Sequence, residues 1–346
     1  MTRSTVTAPP PEGFPPLLYQ DAFINRLTNG LSALIPEWNL SPETTISLLT
    51  VSENATFIAR DPRRDRPLIL RVHRPDYHQE AEILSELAWI EALRAADAVE
   101  TPAPVPTRSG ALLGRFRDGA DLRHVAAFEF MEGAEPDADA GLVPGFRLLG
   151  AISARLHAHA ETWPRPPAFT RKTWDFDSAF GSRPLWGDWR AAIGLGPGGQ
   201  DLLERACARL KTRLDAYGKG PDRFGLVHAD LRLANLLARE EALGVIDFDD
   251  CGFSWFVYDF AAAISFHELN PIVPELQAAW LDGYRELRPL AEEHAAMIPD
   301  FIMFRRLLLT AWIASHAETA TAAEAGHGTY TEGTLEMARA YLGASA

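Results

Sequence analysis

Residues 224–266, FGLVHADLRLANLLAREEALGVIDFDDCGFSWFVYDFAAAISF, form the stretch that decides the fold. Two short apolar runs within it, GLV and LGVI, lead to the acidic residues Asp230 and Asp247. Asn235 lies between them, five residues after Asp230. Apolar runs bounded by polar turns are typical of short buried strands, and residues just past a strand end are well placed to reach into a cleft. The stretch therefore predicts two strands that present two carboxylates and an amide.

These three side chains form a set with a definite chemical use. A carboxylate can accept a hydroxyl proton, whereas an amide and a second carboxylate can bind a metal ion. Phosphoryl transfer needs this combination, because the acceptor hydroxyl must be held in line and cations must neutralise the charge on the transferred group. We predict that Asp230 orients and deprotonates the acceptor hydroxyl, and that Asn235 and Asp247 bind Mg²⁺, which prefers oxygen ligands.

The order of these residues resembles the catalytic and metal-binding segments of the protein-kinase-like fold. The HAD triplet at 228–230 and the IDFDD sequence at 246–250 are more similar to the aminoglycoside phosphotransferase/choline kinase family. Together, the segments 70–75, 85–87 and 228–235 resemble homoserine kinase type II and bacterial stress-response kinases. The resemblance implies ATP and Mg²⁺ as cofactors.

The resemblance also implies an α+β fold with two lobes. The first lobe would be a small antiparallel sheet with one helix that binds the nucleotide, at residues 17–132. The second would be larger, mainly helical and responsible for catalysis and acceptor binding, at residues 133–346. Residues 1–16 lack the apolar segment of a signal peptide, so we expect a disordered leader.

Composition narrows the classes of partner. At 346 residues the chain is long enough for two domains or lobes, and its net charge of -14 argues against nucleic acid or an anionic membrane as partner. Two cysteines, Cys207 and Cys251, are too few for a disulfide framework and favour a reducing compartment. No apolar segment is long enough and free enough of charge to span a membrane. We therefore expect a cytoplasmic enzyme, either a monomer or a homodimer.

A polar turn in the predicted first lobe is a candidate phosphate-binding loop. Strands are predicted at 45–51 and 55–60, and kinase-like folds cover the nucleotide phosphates with the equivalent hairpin, usually through glycines. Ser52, Asn54 and Thr56 can supply backbone N–H and hydroxyl donors instead. A plain hairpin turn is equally consistent with the residues.

Arg71, in a strand predicted at 67–73, occupies the position where the resemblance implies a phosphate-binding lysine. The chain's only lysines lie outside the predicted first lobe: Lys172, Lys211 and Lys219. Arginine keeps the positive charge and can bind phosphate through two N–H groups. We therefore predict Arg71 as a phosphate ligand, with a solvated strand arginine as the alternative.

A carboxylate within the apolar stripe of the next helix, predicted at 79–96, requires a partner. Glu86 shares the arc of the apolar residues, and an unpaired buried charge is costly. We predict that Glu86 pairs with Arg71, which would reproduce the strand-cation to helix-glutamate pair of the fold. Glu82 lies near the same arc and stays an alternative.

Three further segments carry weaker predictions. Adenine would contact backbone groups near Glu129 and Met131, in the last strand of the first lobe. Arg232 could contact the transferred phosphate, although the residue at this position varies among small-molecule relatives. Asp249 and Asp250 could bind a cationic substrate group or be solvated turn carboxylates.

Residues 163–199 are the least regular part of the chain and are predicted to cap the acceptor end of the cleft. Three of their tryptophans could form an aromatic cage for an ammonium group: Trp174, Trp186 and Trp189. Packing beneath a loop is the more usual role of buried aromatics.

The function predicted from these features is transfer of the γ-phosphate of ATP to a hydroxyl of a small metabolite that could carry an amine. Asp259 follows Asp247 by twelve residues, which leaves little room for a long peptide-docking loop. A serine/threonine protein kinase of the stress-response type is nevertheless an alternative. A nucleotide-binding regulatory pseudokinase is another, because of Arg71 and the hairpin without glycines.

Overall fold

The computed structural model describes residues 21–51, 54–137, 141–239, 242–317 and 319–343. The predicted leader and Ser52 lie outside the described residues.

The first part of the chain is an antiparallel sheet of five strands in the order β1-β2-β3-β5-β4. Two helices accompany it, α1 at Asp21–Leu34 and α2 at Glu80–Ala95. The strands have these bounds: β1 Thr45–Val51, β2 Ala55–Arg60, β3 Leu68–Val72, β4 Leu113–Asp118 and β5 Asp121–Glu129.

The side chains of β5 alternate between the two faces of this sheet, and one helix packs against each face. Val125 and Ala127 belong to the cluster that contains the buried face of α1, whereas Ala126 and Phe128 belong to the cluster that contains the buried face of α2. Arg71 on β3 is the cross-strand partner of Ala126, so it lies on the α2 face. The sheet register thereby directs a cation toward the helix that carries the predicted glutamate.

The rest of the described chain is mainly helical and holds the larger hydrophobic core. Its helices are α3 Val143–Thr162, α4 Phe176–Phe180, α5 Pro197–Tyr217, α6 Tyr258–Ala263, α7 Val273–Leu287, α8 Glu292–Ala295, α9 Ile298–Ser315, α10 Ala320–Ala325 and α11 His327–Gly343. Four short strands form two antiparallel pairs, β6–β9 and β7–β8: β6 Phe224–Val227, β7 Leu236–Arg239, β8 Ala242–Val245 and β9 Gly252–Trp255.

Two glycines allow α3 and α7 to pack in direct contact. A Cβ at Gly150 would clash with the carbonyl oxygen of Trp280, and a Cβ at Gly283 would clash with that of Arg147. Side chains larger than hydrogen would force the helices apart, since protein interiors are packed too densely to absorb them.

The connection between the sheet and the helical part is held by close contacts with β7. Gly133 has φ +140° and approaches Leu237 too closely for a side chain, and Ala134 then forms a two-bond bridge with Ala238 on β7. Among the described residues, no helix combines the length and the apolar character that crossing a bilayer requires.

Candidate active site

The loop that follows β6 presents Asp230, and Asp259 at the start of α6 holds this loop. Asp259 accepts the backbone N–H groups of His228 (3.3 Å) and Ala229 (2.7 Å), and the Nε2–H of His157 (2.9 Å). Ala229 has φ +67°, an unfavourable conformation for a residue with a side chain. The Asp259 contacts stabilise this turn and thereby fix the direction in which Asp230 leaves the backbone.

The Asp230 carboxylate accepts hydrogen bonds at both oxygens. Oδ1 accepts from Arg305 Nη2 (2.5 Å), and Oδ2 accepts from Asn235 Nδ2 (2.7 Å) and Arg232 Nε (3.3 Å). Burial works to raise the pKa of Asp230, but the guanidinium groups of Arg232 and Arg305 outweigh it and hold the pKa below its ordinary value. The group is therefore a carboxylate at neutral pH.

Asn235 lies between the two carboxylates predicted from the sequence. Its amide nitrogen donates to the backbone oxygen of Asp230 (2.9 Å) as well as to Oδ2, which turns the amide oxygen away from Asp230. Its backbone oxygen accepts the N–H of Ile246 (2.9 Å), next to Asp247. The Asp247 side chain is 40% exposed and borders the same cleft as Asp230. An amide oxygen and a partly exposed carboxylate are ligands that suit a hard divalent cation.

Arg71 connects the sheet to this site. Its Nη2 donates to Glu86 Oε1 (2.5 Å) and its Nη1 to Asp247 Oδ1 (3.2 Å), while the guanidinium lies 5.2 Å from the centroid of the Phe128 ring. Glu82, the alternative partner, instead accepts the N–H of Gln79 (2.8 Å) at the start of α2.

Asp249 is buried beside two histidines and Arg71, so the alternative of a solvated turn carboxylate is wrong for this residue. Its oxygens lie 3.4 Å from His78 Nε2, 3.6 Å from His73 Nδ1 and 4.0 Å from Arg71 Nη2. Burial opposes ionisation, but His78 and Arg71 hold the pKa of Asp249 well below its ordinary value. Asp249 therefore links the loop after β8 to the segment between β3 and α2.

Asp250 borders the cleft where aromatic side chains line it. It accepts a hydrogen bond from the Tyr77 hydroxyl (2.6 Å), which accepts another from Trp186 Nε1 (2.9 Å). Burial and the nearby carboxylates Asp230 and Asp249 raise the pKa of Asp250 to about 7. This part of the cleft therefore combines a carboxylate with an aromatic wall.

A single cleft collects most of the predicted site residues. Thr56 is the cross-strand partner of Arg71, and Asn54 accepts the backbone N–H of Arg74 (3.1 Å). The sheet contributes Thr50, Asn54, Thr56 and Arg71 to the border of the cleft. The rest of the chain contributes Trp186, Asp230, Arg232, Asp247, Asp249, Asp250, Phe266, Arg305, Leu309, Trp312 and Thr321.

The predicted adenine contacts lie apart from the residues that border this cleft. The N–H of Glu129 donates to the Ala103 carbonyl (2.9 Å), so it is not available to adenine, and the Glu129 carboxylate accepts two bonds from Arg64. The side chain of Met131 lies over Gly244 on β8.

Helix α9 contributes three cleft residues that the sequence analysis missed. Arg305, Leu309 and Trp312 are spaced by four and three residues, so they share one face of the helix. A signal was present, because the pair Arg305-Arg306 interrupts the apolar run at 301–313, and buried cations require acidic partners. The partner itself lies far away in the sequence.

Comparison with known proteins identifies the family. A model described as the phosphotransferase enzyme family matches residues 46–290. The chain belongs to this family. The predicted family, the two-lobed kinase-like α+β fold and the enzyme class, a phosphotransferase with an alcohol group as acceptor, are thereby confirmed.

Several relatives of this phosphotransferase are small-molecule kinases. The structure of a microcompartment-associated aminopropanol kinase is 43% identical, with a TM-score of 0.83 over 90% of this chain and 97% of that chain. Amicoumacin kinase of Bacillus subtilis is 24% identical over 76% of this chain and 78% of its own length. Homoserine kinase of Gluconobacter oxydans is 28% identical over 77% of this chain and 82% of its own length.

Proposed function

We propose that this phosphotransferase moves the γ-phosphate of ATP, with Mg²⁺, to the hydroxyl of a small amino alcohol. The observation that carries the proposal is that one cleft is bordered by Arg71, by Asp230 and by Asp250, which Tyr77 connects to Trp186. The 43% identical aminopropanol kinase supports the same acceptor class. In this proposal residues 17–132 bind the nucleotide, and residues 133–346 bind the acceptor and carry out catalysis.

The proposed reaction assigns a task to each central side chain. The acceptor oxygen forms a bond to the γ-phosphorus, the bond from phosphorus to the bridging oxygen breaks with its electron pair leaving on ADP, and the hydroxyl proton moves to Asp230. Arg232 makes the longest of the three contacts to Asp230 and is 24% exposed, so it can turn toward the transferred phosphate. Asn235 and Asp247 would hold Mg²⁺, which supplies positive charge to the phosphate oxygens.

At the nucleotide end, Arg71 is proposed to bind phosphate, with Asn54 and Thr56 as neighbouring donors and Glu86 holding the guanidinium. The Met131 N–H and the Glu129 carbonyl are the backbone groups proposed for adenine. Since the Glu86 contact fixes the guanidinium, Arg71 is in place before nucleotide arrives.

Replacing Arg71 with alanine should raise the KM for ATP by about 10-fold or more, because a charge-assisted contact to phosphate contributes about 1.5–3 kcal/mol. Arg71→Lys should recover part of this loss, since it keeps the charge without the two-pronged geometry. Arg66→Ala is the control, because Arg66 is 64% exposed and outside the cleft. Steady-state kinetics with varied ATP measure the effect, and an unchanged KM in Arg71→Ala would remove Arg71 from the nucleotide site.

At the acceptor end, Asp250 is proposed to pair with the ammonium group, and Trp186 and Trp312 border the cleft as an apolar wall. Asp250→Asn should raise the KM for 1-amino-2-propanol by about 10-fold or more while the KM for ATP stays the same. Asp282→Asn, at a carboxylate that is 66% exposed and outside the cleft, is the matched control.

Ionisation of Asp250 predicts how the KM for the acceptor depends on pH. The pKa of Asp250 is raised to about 7, and its ionised form is the one that attracts an ammonium group. The acceptor KM of the wild type should therefore increase as the pH falls below about 7, and Asp250→Asn should abolish this dependence. A pH-independent acceptor KM in the wild type would contradict the role of Asp250.

An acceptor screen tests the proposal as a whole. ADP release is measured with amino alcohols, with diols that replace the amine by a hydroxyl, with homoserine, with choline and with protein extract. Preference for an amino alcohol over its matched diol supports the proposal. Transfer to protein alone would support the protein-kinase alternative, and Mg²⁺-dependent ATP binding without any transfer would support the regulatory one.

A further inference from the structure

Arg305 on α9 is a buried cation that reaches the proposed proton acceptor from the side opposite Asn235. It is 2% exposed, and its guanidinium donates to four groups. These are Asp230 Oδ1 (2.5 Å), the Tyr258 hydroxyl (3.0 Å), Ser265 Oγ (3.0 Å) and the Ala229 backbone oxygen (3.3 Å).

The neighbouring Arg306 shows what a purely structural arginine does on the same helix. It is also buried, and it donates to Glu268 Oε2 (2.8 Å), Thr334 Oγ1 (2.9 Å) and the Tyr330 backbone oxygen (2.8 Å). These contacts attach α9 to α11 and to the segment after α6. Arg305, by contrast, borders the cleft and ends on the carboxylate of Asp230.

We propose that Arg305 is a positioning residue for phosphoryl transfer, which fixes the orientation of the Asp230 carboxylate toward the acceptor hydroxyl. The inference rests on the proposed function, because it assumes that Asp230 receives the hydroxyl proton. Tyr258 and Ser265 hold the guanidinium independently of Asp230, so its place does not follow the carboxylate. The bond to the Ala229 oxygen also secures the left-handed turn from which Asp230 departs.

Counting acceptor sites explains why this fixation matters. A carboxylate offers about four lone-pair sites, and Arg305, Asn235 and Arg232 occupy three of them. The carboxyl torsion of aspartate is otherwise soft, so without Arg305 the two oxygens could exchange places or tilt. Small errors in the placement of a catalytic group cost up to about a hundredfold in rate.

The first test compares Arg305→Met with Arg306→Met in the full-length protein, using ATP, Mg²⁺ and 1-amino-2-propanol. We expect Arg305→Met to lower kcat by about 10- to 100-fold, with both KM values within about twofold of the wild type. Arg306→Met should lose comparable thermal stability, since it also breaks a buried ion pair, but keep its kcat. Equal kcat values for the two variants would overturn the inference.

A double substitution separates positioning from general structural support. If Arg305 acts through Asp230, the kcat of Asp230→Asn/Arg305→Met should equal that of Asp230→Asn alone, because the second change has nothing left to position. A multiplicative loss would overturn the inference.

Arg305→Lys keeps the test decisive if Arg305→Met does not fold. Lysine retains the charge but cannot reach all four acceptors, so we expect kcat to fall by about 3- to 10-fold, between wild type and Arg305→Met. A lysine variant with wild-type kcat would refute positioning by the guanidinium. Absence of transfer by the wild type to any hydroxyl acceptor would instead refute the proposed function, so the two failures are distinguishable.

Discussion

Replacing Asp230 with asparagine is expected to lower kcat by about 10²- to 10⁴-fold, the range that proton transfer by a positioned side chain contributes. The amide has nearly the shape of the carboxylate but cannot take up the hydroxyl proton. ATP should still bind, because the groups at the Arg71 end of the cleft are unchanged. Steady-state kinetics give kcat, and calorimetry gives the affinity for ATP.

A matched control tests whether loss of any buried ionised carboxylate lowers kcat. Asp61 is buried, its pKa is lowered to about 2 by hydrogen bonds that outweigh burial, and it holds Ser41 near the start of β1. Asp61→Asn should reduce thermal stability and leave kcat unchanged. Background turnover that persists undiminished in Asp230→Asn would remove Asp230 from the reaction.

Replacing Asp247 with asparagine is expected to weaken the Mg²⁺-dependent part of ATP binding by at least about 10- to 100-fold, because loss of a residue that only supports a metal ligand already costs that much. The carboxylate provides the charged oxygen of the proposed metal pair, and an amide oxygen is a weaker ligand for a hard cation. Calorimetric titration of ATP with and without Mg²⁺ isolates this contribution.

The control for Asp247 is Asp222→Asn, at a side chain that is 50% exposed and outside the cleft. It should retain the full difference between ATP affinities measured with and without Mg²⁺. Equal differences in Asp247→Asn and in the wild type would contradict the metal role. Loss of ATP binding in both conditions would show that Asp247 holds Arg71 rather than the metal, since the two side chains are in contact.

Local patterns in the sequence were sufficient for much of the fold. The strands predicted at 45–51 and 55–60 have those bounds as β1 and β2, because apolar periodicity and a polar turn are properties of adjacent residues. Periodicity alone left both Glu82 and Glu86 as partners for Arg71, and the resemblance to the family spacing favoured Glu86, which is the residue that Arg71 contacts. Asp230, Asn235 and Asp247 also lie together, since a short hairpin, β7–β8, joins them.

Contacts between distant segments were not accessible in this way. Arg305 reaches Asp230 across 75 residues, and periodicity cannot say which carboxylate a buried arginine will meet. The sequence left open whether Asp249 is a solvated turn carboxylate, because its partner His78 lies in the distant connection between β3 and α2. All three tryptophans considered for an ammonium cage belong to the core, and of these Trp186 also borders the cleft. Only the three-dimensional packing distinguishes them.

The central claim is that this cleft transfers phosphate from ATP to the hydroxyl of a small amino alcohol through Asp230. Phosphorus NMR of the protein with ATP, Mg²⁺ and 1-amino-2-propanol tests it directly. We predict a phosphate monoester that grows in step with ADP, that forms at least about tenfold more slowly from 1,2-propanediol, and that forms about 10²- to 10⁴-fold more slowly with Asp230→Asn. ADP without a monoester from any acceptor, or a monoester formed at the wild-type rate by Asp230→Asn, would contradict it.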